Sequence, residues 1–125
     1  MNVAQETLIE FARHLGLGDL RMSDEGVASL SFEDMGNLFV ECAEEGVLVY
    51  LARTDVRLEP TLCRAALEIC HWRHNHPMDI NAAANGENQL VLSTRMSEAE
   101  FSLPRLEQAL RLLDGLHDQI QEAVR

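Results

Sequence analysis

The sequence predicts an α+β fold in the order helix, three strands, helix, two strands, helix, with an antiparallel twisted sheet backed by the helices. Three observations predict it. The apolar residues repeat with a helical period, then with period two, and that switch recurs until the chain closes on a helical period. The connections between period-two segments are short, polar and contain Gly, as antiparallel hairpins require. Of 125 residues, 46% are hydrophobic and 25% charged, with no repeat, low-complexity tract or linker, so residues 1–125 are expected to form one domain around one core.

Taken in order, Ala4, Leu8, Phe11, Ala12 and Leu15 fall within an arc of about 100°, which makes the first element an amphipathic helix. Gly16 and Gly18 follow, where a left-handed C-terminal residue is cheapest. From Gly26 to Arg53 the period is two: Ala28, Leu30 and Phe32, then Leu38, Val40 and Cys42, then Val47, Val49 and Leu51. These are three strands of a meander, joined at Glu33 to Asn37 and at Glu44 to Gly46. The alternate residues of the third strand, Leu48, Tyr50 and Ala52, are apolar too, so that strand is expected to be central and buried on both faces.

After Pro60, Thr61 to His74 reads as a second helix whose apolar residues, from Leu62 and Cys63 to Cys70 and Trp72, cover an arc of about 220°. One sheet face cannot cover that much helix; a second copy packed about a two-fold axis is the economical cover, and the third helix or a loop is the alternative. Met78 to Ala84 and Gln89 to Met96 alternate around a turn at Asn85 and Gly86, giving two more strands. Ser97 and Glu100 are spaced as a capping box, yet Pro104 places the start of the long last helix at Ser102 or Leu103. Its one-sided stripe is Leu106, Ala109, Leu110, Leu113, Leu116, Ile120 and Val124.

Charge narrows the function. Ten Arg and no Lys against 21 acidic residues give a net charge of −11. That argues against DNA, RNA and anionic membranes as partners, since such binding is driven by cations displacing counterions from phosphates. Missing Lys excludes a Walker lysine and a Schiff-base lysine. Three cysteines, Cys42, Cys63 and Cys70, are odd in number and widely spaced, which is the pattern of reduced thiols in the cytoplasm rather than of a disulfide scaffold. The first fifteen residues carry Glu6, Glu10 and Arg13, so no signal-peptide core is expected there. The longest uncharged apolar run, Val47 to Ala52, is far short of the ~20 residues of a membrane span.

Motifs for chemistry are weak. Cys70, His71, His74 and His76, with Cys63 upstream, offer zinc-type ligands. However, Cys63 and Cys70 stand about 10.5 Å apart along a helix, too far to share one ion. Small core cysteines and histidines at a helix C-terminus explain the same residues. There is no nucleophile elbow, Cys-x-x-Cys pair or His-Glu-x-x-His helix, and Gly16-Leu17-Gly18 follows a helix where a dinucleotide fingerprint follows a strand. The pairs Asp24/Glu25, Glu33/Asp34 and Glu44/Glu45 all fall in expected turns. No catalytic residue, cofactor or metal is expected, and the chain is read as not an enzyme.

The stretch Phe11-Ala-Arg-His-Leu-Gly-Leu, followed by Asp24-Glu-Gly-Val-Ala-Ser-Leu-Ser-Phe-Glu-Asp34, resembles the start of class I type III secretion chaperones of the Tir chaperone (CesT-like) family. Gly86-Glu-Asn-Gln-Leu-Val-Leu92, leading through Leu103-Pro104 into the leucine-rich helix, is similar to the same family, as is the order of elements. The resemblance implies a bacterial cytoplasmic homodimer, or a heterodimer of two related chains. Such a dimer binds the extended N-terminal segment of a type III secreted effector and keeps it soluble and export-competent without hydrolysing ATP.

By that resemblance the client-binding residues are expected to be Phe11, Leu15, Leu30, Phe32, Leu38 and Val40, from the first helix and early strands. The dimer interface is expected at Leu62, Ala66, Ile69 and Trp72, with Ile80 from the adjacent strand. Two other functions fit the same sequence: a regulatory chaperone that sequesters a transcriptional regulator or a secretion gatekeeper, and a small zinc-binding protein built on Cys70, His71, His74 and His76.

Overall fold

A computed structural model describes residues 3–14, 21–22, 26–43, 46–71 and 75–124, with residues 3–5 and 21–22 described by their backbone alone. The elements are α1 (Val3–His14), β1 (Arg21–Met22), β2 (Val27–Phe32), β3 (Gly36–Ala43), β4 (Gly46–Arg53), α2 (Pro60–Ile69), β5 (Asn81–Asn85), β6 (Gln89–Met96) and α3 (Leu103–Ala123). All strand pairings are antiparallel, in the order β1-β2-β3-β4-β6-β5. The expected α+β order is present, with one addition. β1 pairs with Ala28 and Ser29 at the β2 edge, and its two residues are too few to leave a period in the sequence.

Two glycines set the central register. Gly36 opens β3 at φ +114° and Gly46 opens β4 at φ +135°, both in the region that L side chains avoid. A Cβ at Gly36 would lie 2.5 Å from the Ala52 carbonyl oxygen, and one at Gly46 would lie 2.6 Å from that of Met96. Pairing then aligns Leu38 with Leu51 and Val40 with Val49 on one side of β4, and Leu92 with Leu51 and Thr94 with Val49 on the other. A slip of one residue would turn all of these side chains to the opposite face.

The core lies on that one face. Leu8 and Phe11 of α1, Leu62 and Ala66 of α2, and Leu106, Ala109, Leu113, Leu116 and Ile120 of α3 form one cluster with the inward residues of β2, β3, β4 and β6. α3 begins as expected: Ser102 Oγ accepts a bond from the Arg105 amide and Pro104 sits in the first turn. Just before it, the Ser97 amide and hydroxyl donate to the Glu100 carboxylate and the Glu100 amide donates to Ser97 Oγ, so the capping box closes a single separate turn. The buried stripe of α3 runs as expected to Ile120 but includes His117 and excludes Val124, which is exposed at the C-cap.

α2 ends at Ile69, five residues short of the expected His74. The Ile69 carbonyl, which the Arg73 amide would have taken in a longer helix, accepts a bond from His76 Nε2–H at 2.6 Å instead. The His71 amide bonds back to Glu68, which tightens the last turn, and Asn75 has φ +52°. β5 likewise starts at Asn81, not Met78. Met78 and Ile80 are buried ahead of it, but the ladder with β6 begins only at Asn81 and Ser93. Alternation in sequence reports burial, whereas a strand also needs hydrogen-bonding partners.

Arg53, the last residue of β4, ties three elements together. Its guanidinium donates to the Asp114 carboxylate at 2.5 Å, to the Asp118 carboxylate at 2.9 Å and to the Met35 carbonyl in the β2–β3 turn at 2.9 Å. Among the described residues no helix is long and apolar enough to cross a membrane.

Replacing Gly46 by Ala is expected to cost about 1–3 kcal/mol of stability from backbone strain alone. The midpoint of urea unfolding checks it, and Gly86→Ala, whose Cβ meets nothing within 4 Å, is the milder comparison.

Candidate functional site

The side chains expected to hold a client converge, but under α1. Ala28 stands opposite Val40, and Leu30 opposite Leu38, on the inner face of the β2–β3 hairpin. Phe11 of α1 joins the same core cluster. Phe11, Leu30, Leu38 and Val40 are therefore buried in the single chain. Period two marks the residues that leave water but not what covers them, and here the chain covers them itself. Leu15 lies outside the described residues.

Phe32 is the exception. It is half-buried and forms part of the wall of an open groove of about 380 Å³ with Glu33, Asp34, Asn37, Asp55 and Gln121. Arg53 also borders this groove, but its charge is matched by Asp114 and Asp118. Exposed Glu33, Asp34 and Asp55 therefore set an acidic field beside an aromatic ring.

The expected dimer residues are also redistributed. Leu62, Ala66 and Ile80 are buried within the chain, Ile69 is half-buried, and Trp72 lies outside the described residues. Ile80 precedes β5 and is not part of it. The apolar surface that α2 offers is one stripe further round: Leu67, 65% exposed, between half-buried Cys63 and Cys70. These stand at i, i+4 and i+7 and form one face of the helix.

One surface was misjudged from the sequence. The outer face of the sheet contributes nothing to the core cluster. Phe39 and Tyr50 stack there with ring centroids 4.9 Å apart, and Val27, Leu48 and Val91 around them are only half-buried. The apolar alternation of β4 made the strand central, as expected, but only Ala52 on that second face is fully buried. The available signal was the alternation itself, with no apolar helix left over to cover a second face.

The zinc reading finds no support. Among the described residues no group of three His, Cys, Asp or Glu could hold a metal ion, and His74 lies outside them. Burial pushes the Cys70 thiol up to about 11, away from the thiolate a metal requires. The His76 Nε2–H is committed to Ile69.

An antiparallel sheet with helices on one face, an acidic groove and unclaimed apolar surfaces define a protein that binds other proteins. The chain belongs to the family of the type III secretory system chaperone SycN, whose model matches residues 4–121. The fold is shared with solved complexes. It is similar to the ExsC-ExsE complex, with a TM-score of 0.74, 24% identity, and coverage of 97% of this chain and 96% of that one. It is similar to the Yersinia pestis type III secretion chaperone SycH in complex with a stable fragment of YscM2, with a TM-score of 0.67, 17% identity, and 94% and 99% coverage. The HopA1-SchA chaperone-effector complex matches with a TM-score of 0.64, 16% identity, and 94% and 90% coverage. No curated protein sequence matches the chain.

Phe11→Ala is expected to cost about 3–5 kcal/mol of stability, and Phe32→Ala less than half as much, because only Phe11 is enclosed by the core. Denaturation of the two variants side by side checks the placement.

Proposed function

We propose that this chain is a non-enzymatic chaperone of the bacterial cytoplasm, working as CesT-like class I chaperones do. As a dimer it holds an extended N-terminal segment of a type III secreted effector and keeps that segment soluble for export. Membership of the chaperone family supports this class of function. The observation that carries the mode of binding is the acidic, aromatic-walled groove at Phe32.

An extended segment gains main-chain bonds by adding to a sheet edge and gains specificity from side chains at alternate positions. Of an extended client laid along the groove, every second residue would face its wall, where Glu33, Asp34 and Asp55 favour basic side chains and Phe32 favours an apolar one. Phe11, Leu30, Leu38 and Val40 form the floor beneath α1 and hold this wall in place. Beyond the groove, the Phe39 and Tyr50 face gives a wrapping client more apolar surface. Ordering such a client needs a large contact, on the order of 1,000 to 3,000 Å².

For the dimer, the stripe of Cys63, Leu67 and Cys70 supports pairing through α2, with Ile69 at its inner margin and Leu62, Ala66 and Ile80 behind it. A helix face with an exposed leucine between two half-buried thiols is an apolar surface that a second copy can cover.

Light scattering is expected to give twice the 14.0 kDa chain mass for the wild type. Leu67→Asp is expected to run as a folded monomer, and a dimeric Leu67→Asp counts against this interface. Co-expression with the N-terminal segment of a type III secreted effector tests the client site. The double variant Glu33→Lys and Asp34→Lys should stay folded and dimeric yet retain at least tenfold less client; unchanged retention counts against the groove.

A further inference from the structure

His117 is the one titratable side chain among the fully buried described residues. Its Nε2–H donates to the Leu51 carbonyl of β4 at 2.8 Å, and its Nδ1 has no partner. The ring is therefore neutral with its proton on Nε2. The charged groups acting on it are Arg53 from β4 and Asp118 from its own helix, with none from α1 or α2 among the described residues. Asp114 shares the Arg53 guanidinium, which also reaches Gln121 Oε1 at 3.5 Å and the Met35 carbonyl. The second half of α3 is thus held by Leu116 and Ile120 together with an uncharged histidine and an arginine clamp. The first half is held by Leu106, Ala109, Leu110 and Leu113, none of which titrates.

We infer that His117 is an acid-operated release for the second half of α3. A proton on Nδ1 creates a buried donor with no acceptor and places a second cation beside Arg53. Residues 114–124 then leave β4 and the β2–β3 turn while 103–113 stay docked. Gln121 belongs to the groove at Phe32, so the release alters the surface assigned above to the client. That consequence rests on the client reading; the release itself does not.

The direction is fixed by linkage. Burial first, and Arg53 next among the charges, hold the ring down to about 4, against the opposing pull of the Leu51 carbonyl and Asp118. The released ring titrates at its ordinary 6.5. The docked state is fully favoured above the higher value and loses its advantage as pH falls toward the lower one, about tenfold per unit.

Hydrogen exchange on the full chain, corrected for intrinsic rates, tests this between pH 7 and 4.5. Amides of 114–124 should lose roughly a hundredfold in protection, while 103–113 and the central strands lose far less. In His117→Gln, which can still donate to Leu51 but cannot take up a proton, most of that loss should vanish. Equal loss in wild type and His117→Gln, no loss, or simultaneous loss over the whole chain overturns the proposal. If His117→Gln does not fold, proton NMR of the wild-type ring decides. Protonation of His117 in step with exposure of 114–124 supports the release, and a ring that stays neutral while they open overturns it.

Discussion

The constraint on which this fold depends is that three helices cover only one face of a six-stranded sheet. Val47, Val49 and Leu51, completely buried on β4, need cover from above and matched neighbours on both sides. α3, about 31 Å long, supplies most of the cover, and α1 and α2 close its flanks. Gly36 and Gly46 fix the register that keeps the apolar set on that side. What this arrangement leaves open among the described residues is the outer sheet face, the groove at Phe32 and one stripe of α2.

Much of this was legible in the sequence, and the exceptions have identifiable causes. Element order, the central position of β4 and the start of α3 at Ser102 follow from periodicity and capping chemistry, which are local. The end of α2 was not legible because it depends on His76 returning to the Ile69 carbonyl, a contact between residues that no periodicity links. Residues of the candidate site were legible as apolar but not as accessible. Phe11 and Phe32 look alike in sequence, yet one is enclosed in the core on the inner side of α1 and the other stands at a hairpin end. Leu67 was counted within an over-wide apolar arc on α2, but nothing in that arc said which part the chain would cover itself.

Acidity and shape act together. With 21 acidic residues and ten arginines, the protein can display apolar surface and still resist non-specific clumping. Arg53, one of those arginines, is spent inside the fold, where a bidentate-capable planar cation reaches two carboxylates and a turn carbonyl at once. A lysine at the same place could not span those partners.

The stacked pair on the outer face has one more consequence. Tyr50 is the chain's single tyrosine, half-buried against Phe39, and its phenol is already harder to ionise because of burial and Glu41 nearby. Anything that settles on that face changes the polarity around this one ring. Its contribution to the ultraviolet difference spectrum, separated from the overlapping band of the single Trp72, is therefore a built-in optical gauge of occupancy that needs no label.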